Sequence, residues 1–288
     1  MKRREFIQTS MAAAAIVSLP SFMVPAKRKT GLQLYSLRDV IKNDPKGIMK
    51  KVAEFGYQEV ETFDYDNGKL FGLTLKEFAD YTKSLGISIT SGHYKLGKTK
   101  TEIKGTLLKE WERAVADAKE IGQKYMVLAF LEPDEHKSLD DYKMVCEAVN
   151  KGAEMCKKYG IRMSYHNHEF EFEEFEGQVA YDFMLKELDP KLVSIELDLY
   201  WITRANHDPL DYFAKYPGRF EQWHVKDMDK TDMKKQVDVG TGRIDFKSIF
   251  AKASQAGMKH FYIEQEQYPS SSLESVKNSI LNLKKVLK

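Results

Sequence analysis

The sequence predicts an α/β protein, a (β/α)8 TIM barrel, from a recurring helix–glycine–strand phrase, a count of eight strands, and an unbroken alternation of the two elements. The phrase appears at Phe55-Gly56 before Glu59-Val60-Glu61, at Leu85-Gly86 before Ile87-Ser88-Ile89, and at Ile121-Gly122 before Tyr125-Met126-Val127. Further copies end at Gly160, Gly218 and Gly257. A glycine just past a helix supplies the left-handed residue that stops it, and a strand follows within a few residues. Successive glycines are 30, 36, 38, 58 and 39 residues apart. The long interval hides one more unit, in which Leu188-Asp189-Pro190 replaces the glycine before Leu192-Val193-Ser194-Ile195. With a first strand at Gly31-Leu32-Gln33-Leu34-Tyr35 the count reaches eight. The last helix starts at a capping box, Ser271 with Glu274, and runs to Lys288. A doubly wound open sheet is the structural alternative.

Length agrees with this reading, since 288 residues exceed a typical domain but an α/β barrel uses about 250 as one unit. Hydrophobic residues are 42% and charged residues 31% of the chain, so a large core is available in an ordinary globular composition. No apolar run approaches the roughly 20 residues of a membrane helix. The first 26 residues differ from the rest. Lys2-Arg3-Arg4-Glu5-Phe6-Ile7 precedes an apolar stretch from Met11 to Leu19, then Pro20 and the small-residue exit Val24-Pro25-Ala26. That layout predicts a cleaved export signal, twin-arginine-like although Lys2 stands where Ser or Thr is usual, and a periplasmic mature protein. The formal charge of +2 is carried by this segment, so the mature barrel is near neutral and offers nothing to a nucleic acid. No stable membrane association is expected after processing. Cys146 and Cys156 fall ten residues apart on one expected helix, about 15 Å along its axis. A disulfide needs Cα atoms within about 7 Å, so they are expected as two separate thiols.

Side chains alternate along a strand between the barrel interior and the helices. In strand five, Ile161, Met163 and Tyr165 face the helices, and Arg162, Ser164, His166 and His168 face in. In strand six, Val193, Ile195 and Leu197 face out while Glu196 and Asp198 face in. Strand seven turns Trp223 and Val225 outward and His224 and Lys226 inward. Strand eight turns Phe261 and Ile263 outward and Tyr262, Glu264 and Glu266 inward. Metal-binding groups thus end four successive strands on the interior side. Imidazole and carboxylate together suit one divalent ion, Mn²⁺, Zn²⁺, Co²⁺ or Fe²⁺ before Mg²⁺. The competing reading is a buried network of mutually satisfied His and carboxylate groups. Other polar positions expected to face the interior are Gln33, Tyr35, Glu61, His93, Lys226 and Glu266. Trp201 is an aromatic wall or a core residue, His93 a site or a surface residue. Arg243, beside Gly240-Thr241-Gly242, is a candidate to hold an anionic group. Lys226 either neutralises a carboxylate or stabilises a developing oxyanion.

The run Tyr165-His166-Asn167-His168-Glu169-Phe170, with Glu196-Leu197-Asp198, His224-Val225-Lys226-Asp227, Gly240-Thr241-Gly242-Arg243-Ile244-Asp245 and Ile263-Glu264, resembles the xylose isomerase-like sugar phosphate isomerase/epimerase superfamily. The resemblance covers residues 30–288. It implies metal ligands at His166, Asp198, His224 and Glu264, with His166 standing where many members carry Glu. It also implies proton transfer by Glu264 with a partner on strand five. His168 either replaces His166 as ligand or sits beside it as acid/base.

The expected function is a metal-dependent sugar isomerase or epimerase that abstracts a proton next to a carbonyl and stabilises an enediolate. Elimination from a 3-keto-glycoside at the same site, a lyase or hydratase reaction, is the alternative. Export and the His in place of Glu favour that variant. A non-catalytic sugar-binding barrel is a third reading. An apurinic-site endonuclease is disfavoured by Trp201 three residues after Asp198 and by the missing Asp-x-His after strand seven. The expected partner is a small carbohydrate.

Overall fold

Eight parallel strands close into a barrel in the computed structural model, which describes residues 28–288. They are β1 (Gly31–Gln33), β2 (Glu59–Thr62), β3 (Ser88–Lys95), β4 (Tyr125–Phe130), β5 (Arg162–His166), β6 (Val193–Asp198), β7 (Gln222–Val225) and β8 (His260–Ile263). Each pairs with its sequence neighbours, and β8 returns to β1 through Gly31 opposite Tyr262. The outer helices are α1 (Pro45–Phe55), α2 (Leu75–Ser84), α3 (Trp111–Glu120), α4 (Leu139–Lys158), α5 (Ala180–Glu187), α6 (Leu199–Arg204), α7 (Pro209–Lys215), α8 (Phe246–Ala251), α9 (Ala253–Ala256) and α10 (Ser272–Val286). The export signal expected over residues 1–26 lies outside the described residues.

Local chemistry sets these boundaries. Asp44 caps α1 by accepting from the Gly47 N–H at 2.9 Å, with Pro45 at the first helical position. Thr74 and Glu77 form a capping box on α2. At α10 the Ser271 hydroxyl oxygen accepts from Glu274 N–H, but the Glu274 carboxylate takes the Ser270 hydroxyl at 2.8 Å, so the expected box is only half made. All six glycines of the repeated phrase have positive φ, between 70° and 94°. At Gly257 there is a second reason: a Cβ would lie 2.7 Å from the Gly218 Cα.

The alternation read from the sequence holds on the four strands that matter. Met163 and Tyr165, Val193, Ile195 and Leu197, Trp223 and Val225, and Phe261 and Ile263 all join the apolar core between strands and helices. The interior carries polar groups instead of the usual branched aliphatic layers. The Ser194 hydroxyl donates to Ser164 Oγ (3.2 Å), Gln222 Nε2 donates to Ser91 Oγ (2.9 Å), and the Tyr262 and Thr90 hydroxyls are 2.8 Å apart. At the lower end His260 Nδ1 lies 2.7 Å from Glu59, and Glu221 accepts from the Tyr125 hydroxyl at 2.8 Å.

Three details depart from expectation. Strand β1 stops at Gln33, because its side chain accepts from Tyr35 N–H and starts a 3-10 turn over Leu34–Leu37. Tyr35 therefore sits on a turn rather than at a strand end. The units after β6 and β7 each use two short helices instead of one. The long connection after β7 folds on itself as a small hairpin, Asp227–Met228 with Gln236–Val237. Asp227 clamps it, accepting from Met228, Gly240, Gly242 and Ile244 N–H groups at 2.8, 2.8, 2.9 and 3.3 Å. Cys146 and Cys156 are buried on α4 as free thiols. Among the described residues no helix is long and apolar enough to cross a membrane.

Asp227→Ala would leave four backbone donors without their acceptor. It should destabilise the fold by about 3 kcal/mol in urea unfolding, and Asp227→Asn, which keeps an oxygen, by less. An unchanged midpoint for the Ala variant would contradict the clamp.

Candidate active site

The upper strand ends converge on His224, a fully buried imidazole at the end of β7. Its two ring nitrogens face different partners. Nε2 lies 2.6 Å from Glu61 Oε1 on β2 and 3.3 Å from Glu196 Oε2 on β6. Nδ1 lies 3.0 Å from Glu264 Oε2, beyond β8, and 4.0 Å from Asp198 Oδ2. Glu61 is well supplied with donors: Gln33 Nε2 at 2.7 Å, the Ser91 hydroxyl, and His93 Nε2 at 3.0 Å. Glu196 Oε2 is shared by His93 Nε2 at 2.9 Å and His166 Nδ1 at 3.2 Å. Lys226, also buried, reaches Asp198 at 3.1 Å, Glu264 at 2.7 Å and Glu266 at 2.5 Å.

Two overlapping sets of metal-capable atoms result. Asp198, His224 and Glu264 offer three atoms within 4.8 Å of one another, and His93, His166, Glu196 and His224 offer four. His224 belongs to both. The anticipated group of His166, Asp198, His224 and Glu264 is thus divided between two neighbouring sets, with the His166 and His224 rings 4.5 Å apart. Two buried polar atoms at this point, His168 Nδ1 and Glu196 Oε1, have no hydrogen-bond partner among the described residues. His166 Nδ1 and Asp198 Oδ2 meet Glu196 and Lys226 only in ion-pair contacts outside hydrogen-bonding geometry. Native proteins rarely leave such atoms unsatisfied without an ion, water or ligand to take them. The mixed imidazole and carboxylate donors fit a divalent transition ion.

Burial and neighbouring charge separate the titration of these groups. Burial alone would raise Glu61 and Glu264, but His93 and His224 outweigh it at Glu61, and Lys226 with His224 at Glu264, so both stay below the usual carboxylate range. Glu196 is pushed up to about 7 by burial and by the Glu61 charge. Asp198 is raised by burial, with Lys226 and His224 opposing. Against burial, the carboxylates lift His93 to about 9 and raise His224 and Lys226. His166 and His168 go the other way: burial and nearby cations lower both, His168 to about 3. Two neutral imidazoles therefore stand beside a set of ionised groups.

Above the cluster opens a cavity of about 1600 Å³. His166, His168 and Glu264 line it, as do His93, Tyr35, Trp201 and Glu266. Glu61 and Lys226 lie buried and do not line it. Arg243 is exposed and also absent from the lining, so the structure does not bring it to the others. It follows Gly242 out of the clamp, so an anion held by Arg243 would lie outside this cavity. His93 is settled as an interior residue of β3, and Trp201 as part of the cavity wall.

Several residues here were not singled out from sequence. Glu196 was legible as inward-facing, two positions before Asp198, but its convergence with His93 and His166 needs three strands in register. Glu171 lies outside every strand. It accepts from the Tyr165 hydroxyl at 2.8 Å and from His168 N–H at 2.7 Å, fixing the segment that carries His168. Phe130, at the end of β4, lines the cavity while 44% exposed.

Comparison with known proteins agrees with this architecture. The model of the xylose isomerase-like TIM barrel family matches residues 49–286. The chain belongs to this family. A sugar phosphate isomerase/epimerase from Parabacteroides distasonis ATCC 8503 superposes with a TM-score of 0.79 at 27% identity, covering 91% of this chain and 100% of that one. The IOLI protein, solved with a zinc atom, superposes with a TM-score of 0.73 at 15% identity, covering 90% and 98% of the two chains, and so shares the fold. The inosose dehydratase of Geobacillus thermodenitrificans (strain NG80-2) is 24% identical over 148 residues, 46% of this chain and 49% of that protein. The chain thus spans about half the length of the curated relatives it matches.

Two measurements check this site. Metal analysis after dialysis should show Asp198→Ala and Glu264→Ala losing bound divalent ion, and Glu61→Gln weakening affinity about 10- to 100-fold by releasing His224; full retention in all three would contradict the arrangement. Glu171, pushed up to about 8 by burial, has a folded pKa above its unfolded value. Its contribution to stability is present below the unfolded pKa and lost as pH rises through about 8. Glu171→Gln should flatten that part of the stability profile, and an unaltered profile would contradict a neutral buried Glu171.

Proposed function

We propose that the protein is a metal-dependent lyase of the dehydratase type, which removes a proton next to the ketone of a sugar and expels an oxygen leaving group from the adjoining carbon. The observation that carries this reading is the pair of neutral imidazoles, His166 and His168, with rings 5.0 Å apart, on the cavity wall where a two-carboxylate epimerase needs a second Glu. The similarity to inosose dehydratase supports it. Export by the leader expected over residues 1–26, part of the same proposal, would put the enzyme where phosphorylated sugars are scarce.

Asp198, His224 and Glu264 would hold the ion, with His166 in the adjoining set, and a divalent metal supplies Lewis-acid stabilisation to an oxygen that gains negative charge. The chain's own groups do the rest. His168 takes the proton from the carbon beside the ketone, and the C–H electron pair moves into an enediolate. As the neighbouring C–O bond breaks, its electrons leave with the oxygen. His168 then returns the same proton to that oxygen, releasing water or an alcohol and leaving an unsaturated ketone. Atoms and electrons balance because the substrate already carries its ketone. Lys226 acts through the carboxylates: held among Asp198, Glu264 and Glu266, its ammonium keeps Glu264 ionised and in place. Glu61 orients His224 through Nε2, as carboxylates orient metal-binding imidazoles elsewhere.

Epimerisation is the second reading, favoured by Glu264 lining the same cavity as His168, which lets a proton return from another side. Incubation with Mn²⁺ and keto-sugars in D₂O separates the two. The lyase reading expects a released alcohol and a conjugated ketone absorbing in the ultraviolet, with His168→Ala reducing turnover by roughly 10²- to 10⁴-fold while metal is retained. Deuterated epimer without any released group would sink it.

A further inference from the structure

We infer that the cavity mouth carries a second subsite that holds the ring of an uncharged leaving group, on a wall formed by Phe130, His168, Phe170 and Trp201. This rests on the elimination reading above and adds its substrate class: a keto-glycoside built of two rings.

The wall is continuous and centred on one residue. The His168 ring stacks on Phe170 (5.5 Å, 3°), meets Phe130 edge-on at 5.2 Å, and lies 5.4 Å from Trp201. Phe130 ends β4, His168 and Phe170 follow β5, and Trp201 lies on α6 just after β6. Phe130 is 44% exposed and faces the cavity, so a large aromatic side chain is kept in solvent at the opening. Trp201 Nε1 is buried with no hydrogen-bond partner among the described residues, a donor still to be used. Flat apolar faces of this kind bind rings by stacking. The position is chemically consistent, because the imidazole that must protonate the departing oxygen is itself part of the wall. A ring bonded to that oxygen would lie against its neighbours. The volume, about 1600 Å³, exceeds the roughly 300–1,000 Å³ of ordinary small-molecule cavities and leaves space beyond a single sugar.

Charge at the mouth points to an uncharged ligand. Lys42 pairs with Asp64, Lys100 with Glu132 at 2.6 Å and Arg204 with Glu169 at 3.0 Å, and all six residues line the cavity. Arg38 is held by the Tyr268 hydroxyl at 2.6 Å and the Glu266 carbonyl at 2.8 Å. Lys104 lies 4.0 Å from Glu110, which leaves Lys95 as the one described lining cation without a carboxylate or hydrogen-bonding partner. A phosphate would find no cluster of free cations.

Calorimetric titration of the metal-loaded protein with unoxidised glucosides tests the subsite without turnover, since a 3-hydroxyl glucoside cannot undergo the elimination. p-Nitrophenyl β-glucoside and cellobiose should each bind about tenfold tighter than methyl β-glucoside, a difference of about 1.4 kcal/mol. Phe130→Ala should collapse that advantage, and Phe130→Tyr should preserve it. Equal affinity for all three glucosides, an unchanged advantage in Phe130→Ala, tightest binding of glucose 6-phosphate, or no binding at millimolar concentration would each overturn the inference. The 3-keto forms of the same glucosides then address the chemistry separately. A kept two-ring preference with no released alcohol rejects the lyase reading and leaves the subsite standing.

Discussion

One imidazole gripped on both nitrogens organises the upper end of this barrel. His224 sits between Glu61 on one side and Glu264 on the other, which ties β7 to β2 and to the end of β8. Since Glu61 holds Nε2, the ring cannot turn, and Nδ1 is committed to the side shared with Asp198 and Glu264. Glu61 is itself immobilised by Gln33, Ser91 and His93. The direction in which His224 presents Nδ1 is therefore decided by residues from β1, β2 and β3, outside the strands β5 to β8 that carry the expected ligands.

Charge is the second consequence. Glu61, Glu196, Asp198, Glu264 and Glu266 crowd around one ammonium and four imidazoles, two of which are driven neutral. Buried ion pairs return their desolvation cost only with good geometry and complete hydrogen bonding. Here Glu196 keeps an oxygen without a partner, and Asp198 Oδ2 meets the Lys226 ammonium only outside hydrogen-bonding geometry. A divalent cation in either set would offset the carboxylate charge there. The Asp227 clamp does separate work nearby, holding the loop after β7 by its backbone so that Lys226 projects into the cluster from a fixed position.

Much of this was legible in the sequence because a strand has a strict period of two. Parity alone put His166, Asp198, His224 and Glu264 on one side, and the glycine-ended helices gave the unit count. What parity cannot give is height along the barrel axis, which depends on the stagger between strands. For that reason Glu196 meets His166 and His93 while Asp198 meets Lys226, dividing residues that had been grouped. Residues outside the strands were less accessible still. Tyr35 sits on a turn created by the Gln33 side chain, and Arg243 is carried outward by the glycine turn before it. Glu171 does its work through a backbone N–H three residues earlier in the chain, a contact that leaves no periodic trace.

The polar column inside the barrel has an evolutionary corollary. Serines, glutamine, tyrosine, glutamates and histidines fill a space that other barrels give to branched aliphatic side chains. Replacement of such a cluster by well-packed hydrophobic residues is often neutral or stabilising in other proteins. Selection for thermal robustness alone would thus tend to erode this interior. Keeping the cluster holds folding stability below what an apolar interior on the same backbone would allow. Variants of this protein that gain heat resistance through their interior should be expected to lose chemistry first, whereas those that gain it through the outer helices are free to keep it.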